Sequence, residues 1–297
     1  MPELPEVETV RARLEPVLTG RRFEHVEIND ARLVRPYDPA EVAAELEGER
    51  VAAVKRRGKY LIVRFETGRV LLIHLRMTGS LRHAGPGGLQ ADPHRRAVVR
   101  LDDGSDVAYR DVRRFGTWLL LEPGELEAYL ATRVGDEPFD ALFTAARLGE
   151  RLGRRRAPIK AALLDQRTLA GMGNIYVDEA LWRARIHPLR PAESLDRDEL
   201  RRLHRAVRTT LEHGITRQGS TLRDYALPDG ASGSMQKEFK VYGREGEPCT
   251  RCGSQIAKTR VGGRGTWFCS TCQPLEPLHA ASSASSPPSR SRRHSSV

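Results

Sequence analysis

Four cysteines near the carboxyl end of the chain constrain its fold more than any other feature. Cys249 and Cys252 form one Cys-x2-Cys pair, and sixteen residues later Cys269 and Cys272 form a second. Each pair can supply two thiolates from one tight turn to a tetrahedral Zn²⁺, whereas a redox or disulfide role is the weaker alternative. We therefore predict one Zn²⁺ between two knuckles, and it is structural because four protein ligands leave no open position.

The charge of the chain is the next constraint. Lys and Arg number 49 against 39 Asp and Glu, a formal net charge of +10 over 297 residues. This excess suits a polyanion such as nucleic acid, although an arginine-rich proteome would give the same balance. The chain has no run of 18 apolar residues, and its acidic start lacks the apolar region of a signal peptide. We expect a cytoplasmic monomer that does not contact a membrane.

The first half of the sequence has the pattern of a mostly antiparallel β domain with one N-terminal helix. Apolar residues recur every three or four positions from Leu4 to Leu18, which predicts a helix that Gly20 stops and that Pro16 kinks or ends early. Apolar runs separated by turn residues predict two hairpins and one further strand, at 60–65 with 70–75, at 98–101 with 107–109, and at 117–121.

The second half is mainly helical. Helices are predicted at 158–166, 175–185 and 196–214, and Asp196 with Glu199 forms a plausible capping box for the last of them. A Gly-rich turn precedes the second helix, and a long loop over 216–236 has a length that is usually functional or disordered. Between the cysteine pairs, 256–260 and 265–268 can form a hairpin. The Ser/Pro/Arg-rich tail predicts disorder, either as a dispensable extension or as a source of non-specific affinity for DNA.

Five short motifs and the cysteine quartet with Arg264 together resemble one family of enzymes. They are similar to the formamidopyrimidine-DNA glycosylases of the wider Fpg/Nei group, and together they span residues 1 to about 273. Any one motif is weak, but the whole ordered set is specific. The motifs are Met-Pro-Glu-Leu-Pro-Glu-Val-Glu-Thr at 1–9, Arg-Gly-Lys-Tyr-Leu at 57–61, His-Leu-Arg-Met-Thr-Gly-Ser-Leu at 74–81, Arg-Arg-Phe-Gly at 113–116, Gly-Met-Gly-Asn-Ile-Tyr at 171–176, and Arg264 with the cysteines.

The resemblance implies an α+β multidomain fold. It consists of an N-terminal β-sandwich with an N-terminal helix, a helix-two-turn-helix domain, and a C-terminal zinc-finger β-hairpin. We expect the catalytic sandwich at 1–132, the helix-two-turn-helix domain with a lesion-side loop at 133–236, the zinc finger at 237–273, and the disordered basic tail at 274–297.

The resemblance also implies a catalytic pair at the start of the chain. Removal of Met1 would expose the α-amine of Pro2, and α-amines titrate near about 7.7–8, so much of the amine is a neutral nucleophile. Glu3 is expected to protonate the deoxyribose ring oxygen. In most proteins that begin Met-Pro, the proline has no catalytic role. An acidic residue at a helix N-terminus ordinarily interacts favourably with the helix dipole, and this interpretation suits Glu6 better than Glu3.

Further residues of the motifs are expected to hold DNA. Lys59, Asn174 and Arg264 come from three modules, and the resemblance implies that they converge on the phosphates beside an extruded nucleotide. We include Lys59 and Arg264 in the catalytic set. Asn174 can also serve as a helix cap, and a helix N-terminus is itself an anion site. Lys160 and His94 are two further candidates for DNA contact.

Three side chains match the family's wedge, which fills the gap left by the flipped base. Met77, Arg113 and Phe115 are these residues, and Arg113 is expected to hydrogen-bond the orphaned partner base. Without the resemblance, core packing would be the preferred interpretation of the methionine and the phenylalanine.

The chain departs from the usual family pattern at three places. Arg76 stands where members often have Gly, and Val112 follows Asp111 where Pro is common. Pro-His-Arg-Arg at 93–96 replaces Lys-His-Asp-His. These changes affect local phosphate contacts and loop geometry rather than the chemistry.

The motifs predict a glycosylase and AP lyase that removes 8-oxoguanine and formamidopyrimidines from double-stranded DNA by β,δ-elimination. One rival is a Nei-type enzyme that prefers oxidised pyrimidines, which Leu4, the wedge and the 216–236 loop disfavour. The other is a non-catalytic zinc protein that binds DNA, which the presence of Pro2, Glu3 and Lys59 disfavours.

Overall fold

The computed structural model describes residues 1–153, 155–221 and 226–275. Its N-terminal part is a sandwich of two four-stranded antiparallel sheets, in the strand orders β1-β6-β7-β5 and β2-β3-β4-β8. The elements of this part are α1 (Leu4–Leu18), β1 (Phe23–Ile28), α2 (Pro39–Leu46), β2 (Val51–Arg57), β3 (Tyr60–Phe65), β4 (Val70–His74), β5 (Gly79–Ala84), β6 (Arg95–Leu101), β7 (Asp106–Asp111) and β8 (Thr117–Leu121).

Both predicted hairpins and the further strand are confirmed. β3 pairs with β4 in the register Tyr60 to His74, β6 pairs with β7, and β4 pairs with β8. β4 is buried along its whole length because both faces of its sheet are covered. Leu71 and Ile73 face the sandwich core, whereas Leu72 packs on the outer side. This explains why an apolar run rather than an alternating pattern encodes the strand.

Pro16 does not end α1, so that part of the prediction is wrong. The helix continues to Leu18, whose side chain is buried in the sandwich core. The amide of Thr19 still donates to the carbonyl of Glu15 at 3.0 Å. Burial of the last apolar residue therefore outweighs the lost hydrogen bond of one proline.

The first 132 residues also contain two helices besides α1. The first is α2, which begins where Asp38 accepts hydrogen bonds from the amides of Ala40 and Glu41. The second is α3 (Glu125–Ala131), which lies on the outer face of the second sheet and buries Leu126 and Leu130 there. Both are at most eight residues long, too short for a clear periodic signal.

The middle of the chain forms the predicted helical module. Its helices are α4 (Ala145–Leu152), α5 (Ile159–Leu164), α6 (Asn174–Ala184) and α7 (Arg197–Thr216). The capping box at the start of α7 is present, with the amide of Glu199 bonded to Asp196 at 2.8 Å. Leu4 belongs to the core of this module, whereas the rest of the apolar face of α1 packs in the sandwich. The first turn of α1 therefore connects the two cores.

The last described module is the cysteine-bearing hairpin of β9 (Ala257–Val261) and β10 (Arg264–Phe268), close to its predicted bounds. The predicted 216–236 loop contains one turn of 3-10 helix, Met235–Lys237, at its end. Residues 222–225 of that loop and the tail from 276 lie outside the described residues. None of the described helices is long and apolar enough to cross a bilayer. The boundaries placed at 132, 236 and 273 stay predictions.

Candidate active site

Glu3 lies where the sandwich and the helical module meet. Its carboxylate accepts the amide hydrogens of Ile175 at 3.0 Å and Tyr176 at 3.4 Å, both in the first turn of α6. The side chain is 2% exposed. An anion at a helix N-terminus satisfies otherwise unpaired amides and interacts favourably with the helix dipole. One residue thus begins α1 and caps a second helix from another module.

The Gly-rich turn before α6 allows this contact. A Cβ atom on Gly173 would overlap the carboxyl group of Glu3, so only glycine permits the close approach. On the same turn, the carbonyl of Gly171 accepts the amide hydrogen of Leu4 at 3.0 Å. Pro2 is buried beside this contact. The motif at 171–174 is therefore the surface against which the start of the chain packs.

Lys59 is the buried cation of this centre. It lies on the tight turn between β2 and β3 and is 5% exposed. Burial lowers the pKa of Lys59, while the carboxylates of Glu3 and Glu6 oppose that shift. Burial raises the pKa of Glu3, and Lys59 is the main opposing influence. The pair thus combines an acid that holds its proton more strongly with an amine that loses its proton more easily.

Glu137, which the sequence did not single out, holds the turn that carries Lys59. Its carboxylate accepts the Gly58 amide hydrogen at 2.9 Å and pairs with the Arg57 guanidinium at 2.9 Å. Arg56 pairs with the other oxygen of the same carboxylate. The helical side of the molecule therefore fixes a turn of the sandwich.

Arg264 and Asn174 are brought together by the hairpin. The side-chain amide of Asn174 donates to the carbonyl of Gly265 at 3.0 Å, next to Arg264 at the start of β10. Arg264 is exposed, and its charge contributes to lowering the pKa of Lys59. Glu3, Lys59 and Arg264 thus interact electrostatically, and Asn174 contacts the residue next to Arg264.

Lys160 requires a correction. Its ammonium group is fully buried, donates to the carbonyl of Gly265 at 2.9 Å and pairs with Asp178 at 2.7 Å. With these two buried partners, the group faces no surface on which a phosphate could lie. We reassign Lys160 to fastening the hairpin on α6, together with Asp178, which accepts the amide hydrogen of Trp267 at 3.1 Å.

Two more buried carboxylates join modules, and the sequence did not reveal the first of them. Glu179 accepts the amide hydrogens of residues 240–242 at 2.9 to 3.0 Å, which ties the start of the third module to α6. Glu6 accepts hydrogen bonds from the amide of Ser220 at 2.7 Å and the hydroxyl of Tyr176 at 2.8 Å. Glu6 therefore ties α1 to α6 and to the start of the long loop.

The three predicted wedge residues occupy two neighbouring loops. Met77 is half-buried on the loop before β5, and Phe115 is 52% exposed on the loop after β7. The guanidinium of Arg113 stacks over the Phe115 ring at 4.8 Å. Arg114 turns instead to Asp30, whose carboxylate it contacts at 2.6 and 2.7 Å. Phe115 is therefore not a core residue.

Arg76 keeps the backbone geometry of the glycine that it replaces. Its φ angle is +53°, in the left-handed region that glycine enters most easily. Its amide donates to Nδ1 of His74 at 3.0 Å. Burial lowers the pKa of His74 to about 3, so the ring is a neutral acceptor. This bond supports the left-handed turn that leads to Met77.

His94 lies on the loop before β6, half-buried, with its amide bonded to Asp92 at 2.8 Å. It lines an open cavity of about 610 Å³ that includes Arg82, Arg95 and Arg110. Asp92 also pairs with Arg110 at 2.9 Å. The altered 93–96 segment thus contributes a basic surface of its own.

The four cysteines form the predicted metal site. Their sulfur atoms all lie within 4.8 Å of one another, with Cys249 and Cys272 3.9 Å apart and Cys252 and Cys269 3.5 Å apart. A tetrahedron with Zn–S bonds of about 2.3 Å places its sulfurs about 3.8 Å apart, so the geometry fits one structural zinc. The indole of Trp182 on α6 donates to Cys249 at 3.4 Å, which joins the site to the same helix.

Three family models match successive parts of the chain. Formamidopyrimidine-DNA glycosylase N-terminal domain matches residues 1–118, the H2TH domain of the same family matches 134–226, and the zinc finger found in FPG and IleRS matches 246–275. A formamidopyrimidine-DNA glycosylase of Bacillus cereus is 46% identical over 277 residues, covering 92% of this chain and 99% of that protein.

Two solved structures are similar throughout. A mutant of the Lactococcus lactis FPG in complex with a Fapy-dG containing DNA has a TM-score of 0.85 at 39% identity, covering 92% of this chain and 100% of that one. The MutM (FPG) protein from Thermus thermophilus has a TM-score of 0.82 at 44% identity, covering 93% of this chain and 100% of that one.

The raised pKa of Glu3 predicts a gain of stability when its charge is removed. Glu3→Gln should raise the free energy of unfolding at pH 8 by an amount on the order of 1 kcal/mol. The reason is that the folded state disfavours the charged carboxylate. The gain should shrink as the pH falls through about 4.3, the ordinary pKa of a glutamate, because below it Glu3 is protonated in both the folded and the unfolded state. Urea unfolding across this pH range measures it.

Glu6→Gln is the matched control for this measurement. Glu6 is also buried on α1, but its carboxylate accepts several hydrogen bonds that an amide cannot all accept. Its replacement should lower stability at both pH values. A Glu3→Gln protein less stable than the parent at pH 8 would contradict the assignment of a disfavoured charge.

The metal site predicts a local rather than a global loss of structure. Zinc binding contributes about 10–16 kcal/mol in small finger peptides, so chelation or Cys249→Ser should unfold the hairpin while the sandwich keeps its shape. Amide hydrogen exchange should increase over β9 and β10 and stay unchanged over β3 and β4. Ser270→Ala, at an exposed position beside Cys269, is the control. Equal protection of the hairpin with and without metal would show that zinc does not hold it.

Proposed function

Because the chain belongs to the formamidopyrimidine-DNA glycosylase family, we propose that it excises oxidised purines from double-stranded DNA and then cleaves the strand. The proposed substrates are 8-oxoguanine and formamidopyrimidines. The Lactococcus lactis relative was crystallised with a Fapy-dG containing DNA, which supports this substrate class. The observation that carries the proposal is the position of Pro2 and Glu3, buried together at the N-terminus of α6 beside Lys59.

The nucleophile in this proposal is the nitrogen of Pro2 after removal of Met1. Its lone pair forms a bond to C1′ of the damaged nucleotide as the glycosidic bond breaks, and the base leaves with a proton. Opening of the sugar ring gives an iminium between protein and DNA. Loss of a C2′ proton then expels the 3′ phosphate, and a second elimination expels the 5′ phosphate. Water then hydrolyses the remaining iminium, which frees the Pro2 nitrogen and releases the sugar remnant as an unsaturated five-carbon aldehyde. The DNA product is a one-nucleotide gap with a phosphate at each end.

Glu3 is the proposed proton donor. A carboxyl group whose pKa is raised holds its proton more strongly, and the deoxyribose ring oxygen needs a proton when the ring opens. The two amides of α6 fix the position of the carboxylate, which belongs to the residue after Pro2. The same group can accept and return protons during the eliminations.

Lys59, Arg264 and Asn174 are the proposed phosphate contacts on either side of the extruded nucleotide. Lys59 comes from the sandwich, Asn174 from the helical module and Arg264 from the finger hairpin, so the site is complete only when all three modules are in place. Their convergence provides cations where the strand carries its charge. Met77, Arg113 and Phe115 would fill the vacated space in the duplex.

The nucleophile is tested by trapping. Borohydride should reduce the iminium to a stable adduct between protein and DNA, and peptide mapping should place the DNA on Pro2. Pro2→Gly keeps an α-amine but loses the ring, so trapping should fall sharply, and retention of Met1 should abolish it. Glu3→Gln should fail to excise the base while an abasic site is still cleaved.

The same assays separate the rival functions. An adduct on Lys59 with Pro2 unmodified would overturn the mechanism. Tight DNA binding with no excision and no adduct would indicate a binding protein. Faster excision of an oxidised pyrimidine than of 8-oxoguanine would indicate a Nei-type specificity.

The wedge and the phosphate contacts predict different phenotypes. Arg113→Ala should reduce the preference for cytosine over adenine opposite 8-oxoguanine, since one specific base contact contributes about 1–3 kcal/mol of discrimination. Arg264→Ala should instead weaken binding to lesion and plain duplexes alike and reduce the salt slope by about 0.9. Excision rates on both pairs, with affinities at several salt concentrations, test this. An unchanged opposite-base ratio in Arg113→Ala refutes the wedge assignment.

A further inference from the structure

Asp111 is a buried carboxylate that joins the two loops carrying Met77, Arg113 and Phe115. We propose that it is the positioning residue that fixes these three side chains relative to one another. This inference rests on the proposed function, because it explains how that wedge is held. Asp111 is 1% exposed, so it would act through the loops rather than on DNA.

The sheet topology brings both loops to this residue. Asp111 is the last residue of β7, and its partner in register is Gly79, the first residue of β5. The loop that ends at Gly79 carries Met77, and the loop that begins after Asp111 carries Arg113 and Phe115. Two segments more than thirty residues apart in sequence therefore leave the sheet at one point.

The carboxylate bonds to both loops. Its Oδ1 atom accepts the hydroxyl hydrogen of Thr78 and, at 3.2 Å, the amide hydrogen of Arg113. Its Oδ2 atom accepts the amide hydrogen of Gly116 at 2.7 Å. The Thr78 oxygen in turn accepts the Arg113 amide hydrogen at 3.0 Å. One carboxylate thus binds the amides before and after Phe115, at Arg113 and Gly116, and links this segment to Thr78, the residue after Met77.

The backbone of Asp111 reaches a third loop. Its amide donates to the carbonyl of His94 at 3.0 Å, and the side chain of Arg96 donates to its carbonyl at 2.9 Å. The altered 93–96 segment is therefore hydrogen-bonded to the same residue that holds the loops of the wedge. A displacement of Asp111 would move all three loops together.

Tyr109, two residues earlier on β7, supports the opposite side of this arrangement. The ring is fully buried, and a Cβ atom on Gly116 would overlap its hydroxyl group. The Asp111 carboxylate holds the Gly116 amide by a hydrogen bond, and the Tyr109 hydroxyl prevents Gly116 from moving closer to the sheet. The position of the Phe115 loop is thus set from two directions, by a strong charge-assisted hydrogen bond and by packing.

Asp111→Asn tests the inference, because the amide keeps the shape but offers only one acceptor oxygen. In one orientation it loses the bond from the Gly116 amide, and in the other it loses the bonds from Thr78 and Arg113. Asp106→Asn is the matched control, since Asp106 is 3% exposed at the other end of β7 and pairs with Arg100 at 3.0 Å, away from these loops. Both variants should lose some stability. Only Asp111→Asn should reduce the preference for cytosine over adenine opposite 8-oxoguanine, by about tenfold, as a lost base contact would.

Two further measurements separate positioning from a general defect. Borohydride trapping on a single-stranded abasic DNA, which has no partner base and no stack to fill, should stay within about twofold of the parent in Asp111→Asn. Thr78→Val should reduce the opposite-base preference less, and adding it to Asp111→Asn should cause no further loss, because the two groups act as one unit.

Each result decides the inference. An unchanged opposite-base ratio, or an equal loss in both aspartate variants, overturns it, and so does an equal loss of trapping on single-stranded abasic DNA. If the parent protein neither excises nor forms an adduct, the proposed function itself fails. Hydrogen exchange of the Arg113 and Gly116 amides then decides whether Asp111 holds the loops: faster exchange in Asp111→Asn but not in Asp106→Asn supports it, and equal exchange refutes it.

Discussion

The contact of Glu3 with the first turn of α6 is the constraint on which the rest of the site depends. It fixes the start of the chain on a helix of another module, and it does so with a charge that burial disfavours. The glycine turn before α6 and the first turn of α1 meet at this contact, and the charge of the buried Lys59 partly offsets that of Glu3. A surface carboxylate would impose no such arrangement, because water could replace either partner at little cost.

The site therefore depends on stability generated elsewhere. Buried charges such as Glu3, Lys59, Asp178 and Lys160 contribute little net stability, because desolvation offsets most of their mutual attraction. The sandwich core and the helical core on either side are apolar and close-packed. The free energy gained by burying these two apolar cores offsets the cost of desolvating the charged groups between them, so those groups keep one geometry. Function and stability are thus located in different layers of the same molecule.

Local patterns predicted most of the architecture. The hairpins follow from apolar runs with turn residues between them, α7 from its periodicity and capping box, and the metal site from cysteine spacing alone. The short helices α2, α3 and α4 were not predicted, because each has eight residues or fewer. Pro16 was misjudged because the burial of Leu18 is a tertiary effect that its neighbours do not encode.

The residues that assemble the site were harder to find. Lys160 resembles a phosphate ligand until its partner Asp178, eighteen positions away, is seen beside it. Glu179 bonds to backbone amides of a distant segment, and an amide has no sequence identity to recognise. Glu137 and Asp111 also bond to side chains, but Arg57 and Thr78 lie more than thirty positions away from them in the sequence. A chain can reveal which side chains perform the chemistry and still hide the carboxylates that bring them together.

The attachment of the finger hairpin has a mechanical consequence. Its contacts through Gly265, Trp267 and Cys249 run to α5 and α6, so the hairpin and the helical module are joined as one unit. The spacing of Asn174 and Arg264 is set within this unit. The spacing of Lys59 and Arg264 depends instead on the contacts between this unit and the sandwich, among them the bonds of Glu137 to the turn that carries Lys59.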